Sequence, residues 1–224
     1  MIALRQILLL LGKDLRIEAR TRQALALVLV LGILIVVVLA LGLQGGNARG
    51  GLSATAILWV AYLFGGAMCF EKTMAVETHD GALAGLLMAP MDRGVIYLSK
   101  LLANLVLMAT LAIVITPVGV VLFGFDLSRA PLAFASVVGA SLIGYAAIGT
   151  LFSGLVASSR LSGGLLAVVV FPLSLPLVIA STQLLKGVFE HGNALDASAM
   201  GVIVAFDVIF LTVSWIVFEL VIEP

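Results

Sequence analysis

Six apolar runs, near residues 23–43, 52–70, 95–123, 131–157, 164–185 and 198–221, leave this chain few solutions other than a helical bundle solvated by lipid. Each run is long enough, or nearly so, to cross a hydrocarbon layer of about 30 Å at a rise of about 1.5 Å per helical residue. Inside lipid the backbone must satisfy its own hydrogen bonds, so each crossing is read as a helix. Runs such as LALVLVLGILIVVVLALGL lack the period-two alternation of an outer-membrane barrel, which removes the main rival. Composition agrees. With 62% hydrophobic and 11% charged residues, against about 25% charged in an ordinary soluble domain, the chain cannot cover a water-facing surface. The expected fold is therefore an all-α polytopic membrane protein with about six transmembrane helices in a single transmembrane domain, residues 1–224.

Ahead of the first run, residues 3–20 carry Leu4, Leu8, Leu11 and Leu15 on one helical stripe and Lys13, Arg16 and Arg20 on the opposite face. That spacing predicts an amphipathic interfacial helix lying on an anionic membrane surface; the alternative is an extension of the first span. A cleaved signal peptide does not fit, because the charged stretch from Lys13 to Arg22 precedes a long apolar run, so the segment is expected to be retained. With the N-terminus in the cytoplasm, nine cations (Arg5, Lys13, Arg16, Arg20, Arg22, Lys72, Arg93, Lys100, Arg160) fall on that side and three (Arg49, Arg129, Lys186) on the other. This is a positive-inside bias, and six crossings return the C-terminus to the cytoplasm. The prolines of the fifth run leave open a segment that dips in and out of one face. A formal net charge of zero provides no field for nucleic acid. Cys69 stands alone, so neither an intramolecular disulfide nor a metal site is expected.

The break at residues 71–93 differs from the short turns elsewhere. It carries Glu71, Lys72, Glu77, His79, Asp80, Asp92 and Arg93, with Leu83, Leu86 and Leu87 spaced for a short surface helix. Asp80-Gly81 can stop one helix and cap the next, and Pro90 ends the apolar turn. The segment reads either as a solvated loop or as a compact, partly apolar knob that docks into a groove on a cytoplasmic partner. Elsewhere, Pro172 and Pro176 each remove an intrahelical hydrogen bond, giving a fixed kink or a hinge. Asp207 lies inside the last run, where an uncompensated carboxylate is costly; a protonated or hydrogen-bonded packing role is favoured over a proton or substrate pathway. His191 falls on the external side, as an ordinary loop residue or a periplasmic partner contact. Trp59, Trp215 and Tyr97 are read as interfacial anchors or packing groups. In the fourth run, Ala140 with Gly144 and Gly149 with Ser153 have the four-residue spacing that lets helices approach.

The pattern of Glu71, Asp80-Gly81, Leu83, Leu86-Leu87 and Pro90, followed by Lys100, resembles the corresponding region of the CcmB family, the haem exporter protein B permease of cytochrome c-type biogenesis. FPLSLPLVIAS, residues 171–181, is similar to that family's proline-bearing fifth span, and the likeness extends over nearly the whole chain. The resemblance implies an ABC-2-type permease of the bacterial inner membrane. It implies as partners a CcmA-like cytoplasmic ATPase, CcmC-like and CcmD-like membrane proteins and a CcmE-like haem chaperone, with a homodimer within the complex. ATP and Mg would be bound by the ATPase, and haem would be met through the complex. Carried over by position, Glu71, Glu77, Asp80, Gly81, Leu83, Leu86, Leu87 and Pro90 become an ATPase-coupling interface, and Pro172 and Pro176 a hinge.

The chain contains no GxxxxGK[ST] phosphate loop, so any ATP hydrolysis belongs to another polypeptide. It has no HExxH motif, no paired membrane aspartates and no serine–histidine arrangement across the spans, which makes an intramembrane hydrolase a poor choice. Two other readings stay open: a permease of the same fold for a lipid, drug or polysaccharide, and a membrane scaffold that transports nothing.

Overall fold

The computed structural model describes residues 2–42, 51–79, 85, 88, 92–124, 126–158 and 164–221. Among these, seven long helices follow in order: α1 (Ile2–Thr21), α2 (Gln23–Gly42), α3 (Gly51–His79), α4 (Arg93–Phe123), α5 (Pro131–Ser158), α6 (Gly164–His191) and α7 (Ala197–Val221). A 3₁₀ turn at Leu127–Arg129 joins α4 to α5. Helices α2 to α7 are each long and apolar enough to cross a membrane. Local chemistry sets the ends. Asp92 accepts a hydrogen bond from Gly94 N at 3.0 Å and caps α4, whose far end closes at Gly124 in the left-handed region that glycine adopts without strain. Asp126 and Asp196 accept from Ser128 and Ser198, bonds that hold both exposed carboxyls below the usual aspartate range.

Two helices form the centre. α3 packs on α2, α4, α5 and α6, and α5 packs on α3, α4, α6 and α7. Accordingly 72% of the α3 span and 61% of the α5 span are buried, against 22% for α7, which leaves most of its surface outside the bundle. Apolar side chains gain little by leaving lipid for each other, so close backbone approach has to supply the attraction. Gly149 of α5 receives the Phe70 ring: a Cβ there would stand 2.0 Å from Phe70 Cε2. Gly144 receives Asp207 and Gly154 receives Phe218, so the glycine contacts on α5 recur every fifth residue. Trp59 and Tyr97 are core packing groups, 1% and 0% exposed, whereas Trp215 lies over Gly94.

One span differs from the sequence reading, and for another the structure decides between the span expected and the alternative left open. The second was expected to stop at residue 70, but the helix runs on to His79, because Glu71 and Lys72 stay exposed on its surface and Glu77 finds Lys13 and the buried Lys100. The fifth is one continuous helix through Pro172 and Pro176, both exposed, rather than a dip into one face.

Gly149→Ala should destabilise the protein by about 1–3 kcal/mol through overpacking. Gly139→Ala, on the same helix with nothing within 4 Å of the added Cβ, should be neutral or stabilise by up to about 1 kcal/mol. Thermal unfolding of the two variants in one detergent makes the comparison.

Candidate functional site

At the end of the bundle where α1 crosses it, four charged side chains meet. Lys13 and Asp14 come from α1, Glu77 from the last turn of α3 and Lys100 from the second turn of α4. Lys100 Nζ lies 2.6 Å from Glu77 Oε1 and 2.8 Å from Asp14 Oδ2. Lys13 Nζ donates to the same Glu77 oxygen and lies 3.3 Å from Asp14 Oδ1. Glu77 and Lys100 are 1% and 4% exposed. The quartet is electrically neutral, which is the condition for holding charge in so dry a place. Burial would depress the half-buried Lys13, but its hydrogen bond to Glu77 and the charges of Asp14 and Glu77 outweigh that and hold its pKa above the usual lysine value. The stabilisation this gives is complete below the unfolded lysine value of about 10.4 and is lost as pH rises through the higher folded value.

A neutral polar chain continues the site inward. Thr73 donates to Asn104 Oδ1 at 2.7 Å and Asn104 Nδ2 donates to Thr150 Oγ1 at 2.9 Å, tying α3, α4 and α5 together. Beside the quartet lies a cavity of about 120 Å³ with Asp14, Glu18, Lys72 and Thr73 in its wall. Glu18 also accepts from Leu25 N at 2.6 Å, satisfying a free donor in the first turn of α2. The amphipathic helix is thereby fastened to the roots of both helices that flank residues 80–91.

The residues singled out in the sequence are dispersed. Glu71 is exposed on α3. Glu77 is buried in the quartet, so it is not part of an exposed interface as the resemblance implied; two lysines take up its charge internally. Asp80, Gly81, Leu83, Leu86, Leu87 and Pro90 lie outside the described residues. Met88, in the same segment, is described and is 86% exposed. His191 is exposed at the end of α6. Asp207 is 6% exposed against Gly144, and its Oδ1 has no hydrogen-bond partner among the described residues. Among the described residues no three His, Cys, Asp or Glu side chains group to hold a metal ion. Sequence reasoning passed over Asp14, Asn104 and Thr150. Asn104 at the heart of an apolar run was the one signal of an inward polar chain.

Lys100→Met strands two buried carboxylates and should cost about 3–5 kcal/mol in reversible unfolding of the detergent-solubilised protein. Lys13→Met, whose side chain is 39% exposed, should cost less than about 1 kcal/mol because solvent screens it. Equal losses would show that water reaches both lysines alike.

The chain matches the family model described as CcmB protein over residues 5–222. A comparison with curated proteins gives no match. With six apolar helices and nearly the whole chain matched, this multi-pass inner-membrane protein belongs to the CcmB family, membrane permease subunits involved in cytochrome c biogenesis.

Proposed function

We propose that this subunit passes the work of ATP hydrolysis by a separate CcmA-like cytoplasmic ATPase through residues 71–93 to α3 and α4. In this reading the complex also holds CcmC-like and CcmD-like membrane proteins and releases a haem-loaded, periplasmic CcmE-like chaperone. ATP and Mg²⁺ are held by the ATPase, and haem is met through the partners. Two copies of this chain sit over two ATPase sites. Both termini face the cytoplasm, supported by the nine-to-three division of cations.

The observation that carries the reading is the buried quartet at the root of the segment. Because Glu77 and Lys100 are bonded to each other and to α1, a displacement of residues 80–91 moves three helices as one body instead of bending a loose loop. Glu71, Asp80, Gly81, Leu83, Leu86, Leu87 and Pro90 form the docking surface, with the exposed Met88 as an apolar anchor. Glu77 acts beneath that surface as a strut. Pro172 and Pro176 form a hinge in α6, His191 touches a periplasmic partner, and Asp207 is a packing residue on α7.

Met88→Glu should weaken capture of the ATPase by at least about tenfold, equivalent to about 1.4 kcal/mol, and lower ATP-dependent release of the haem-loaded chaperone from the purified complex. Its melting temperature should not change, since the side chain touches solvent. Wild-type capture and release would reject the docking surface.

A further inference from the structure

The turn between α1 and α2 rests on Arg22, the one residue other than glycine with positive φ among those described, at +52°. An L-residue held there costs on the order of 1 kcal/mol, and glycine would avoid that cost. What arginine adds is a cation whose Nε donates to Ala19 O at 3.5 Å, in the last turn of α1. Its side chain is exposed, as are those of Arg16 and Arg20 before it, and among the described residues none of the three forms an ion pair.

Two apolar grooves start at this arginine and diverge along opposite sides of α2. One, of about 820 Å³, runs past Leu27, Val30 and Leu34 to Met68 of α3. The other, of about 520 Å³, runs under α1 past Leu15 and Leu29 to Val106 and Thr110 of α4. Arg22 and Ala26 belong to both. Leu34 lies twelve residues beyond Arg22, about 18 Å along a helix, which is close to one leaflet of a hydrocarbon core about 30 Å thick. Leu27, Val30 and Leu34 are 42%, 67% and 55% exposed, so the first groove opens outward from the bundle and is not a closed core.

From this geometry we infer that the α1–α2 elbow is a binding site for one anionic diacyl phospholipid, with its phosphate on Arg22 and its two acyl chains in the grooves on either side of α2. Charge selects the headgroup. Guanidinium pairs with phosphate through two parallel hydrogen bonds, and Arg16 and Arg20 add the field that favours a net-negative lipid over a zwitterionic one. The paired grooves select two chains. The site places a lipid against the same α1 that the ionic quartet fastens to α3 and α4, and it does not depend on which partner drives those helices.

The test is native mass spectrometry of the delipidated full-length protein, titrated with dioleoyl phosphatidylglycerol or dioleoyl phosphatidylcholine. One phosphatidylglycerol should be retained at least tenfold more tightly than phosphatidylcholine. Arg22→Gly, which relieves the backbone while removing the cation, should abolish that preference without lowering thermal stability in lipid-free detergent. Val30→Trp, which fills the first groove, should weaken both lipids. Equal retention of the two lipids by the wild type, or an undiminished preference in Arg22→Gly, overturns the site. So does a photo-crosslinker at Leu34 that, in the assembled complex, labels a partner helix and no lipid.

Discussion

Two carboxylates and the Lys100 ammonium share a volume that water barely reaches, with the partly exposed Lys13 at its rim, and the end of the bundle is organised around keeping them together. Taking such charges out of water is expensive, and only mutual neutralisation with short contacts offsets it. Glu77 Oε1 receives both lysines, and Asp14 closes the circuit from the other side. Once assembled, the arrangement cannot lose Glu77 or Lys100 without leaving a buried charge uncompensated. That makes α1, the end of α3 and the start of α4 mechanically one piece, which hydrophobic contact in lipid could not enforce.

The rest of the bundle is tied to that piece by polar contacts at several levels. The Thr73, Asn104 and Thr150 hydrogen bonds lead from the quartet into α5, the second central helix. Deeper in, Tyr62 pairs with Thr116 at 2.7 Å and Tyr145 donates to Leu63 O at 2.5 Å, so α3 is pinned to α4 and α5 at several levels. Glycines bring these helices close enough for rings to interlock, as where Phe70 lies on Gly149 and its ring centroid stands 5.2 Å from that of Tyr145. Close-packed interiors of this kind shift between discrete arrangements more readily than they deform. A tilt imposed at α3 is therefore felt at α5.

Much of this was legible before any coordinates. The six crossings follow from apolar run length, and the family from the ordered pattern between Glu71 and Lys100 together with the proline-bearing fifth run. The burial of Asp207 was legible because it lies inside an apolar run with nothing polar beside it. Glu77 was not. A linear reading sees an acid among acids near a membrane boundary and assigns it to water. Its neutralising partners lie 64 residues before it and 23 after it, and no periodicity joins them. Lys13 and Asp14 were hidden for a related reason. On an isolated amphipathic helix they belong to the polar face, and only the crossing of α1 over α3 and α4 turns that face inward. The extent of α3 was misjudged with them, since a charge counts as a helix-ending signal only when it needs solvent.

Coupling energy within the quartet measures the central claim most directly, through a double-mutant cycle of Glu77→Leu and Lys100→Met in reversible unfolding of the detergent-solubilised protein. If the two charges are buried against each other, the double variant recovers much of the loss caused by either single change, with an interaction energy of about 2 kcal/mol or more. Additive losses, to within about 0.5 kcal/mol, would contradict the account, because they would mean that Glu77 and Lys100 each face solvent independently and that nothing but apolar packing holds α1 to the helices beneath it.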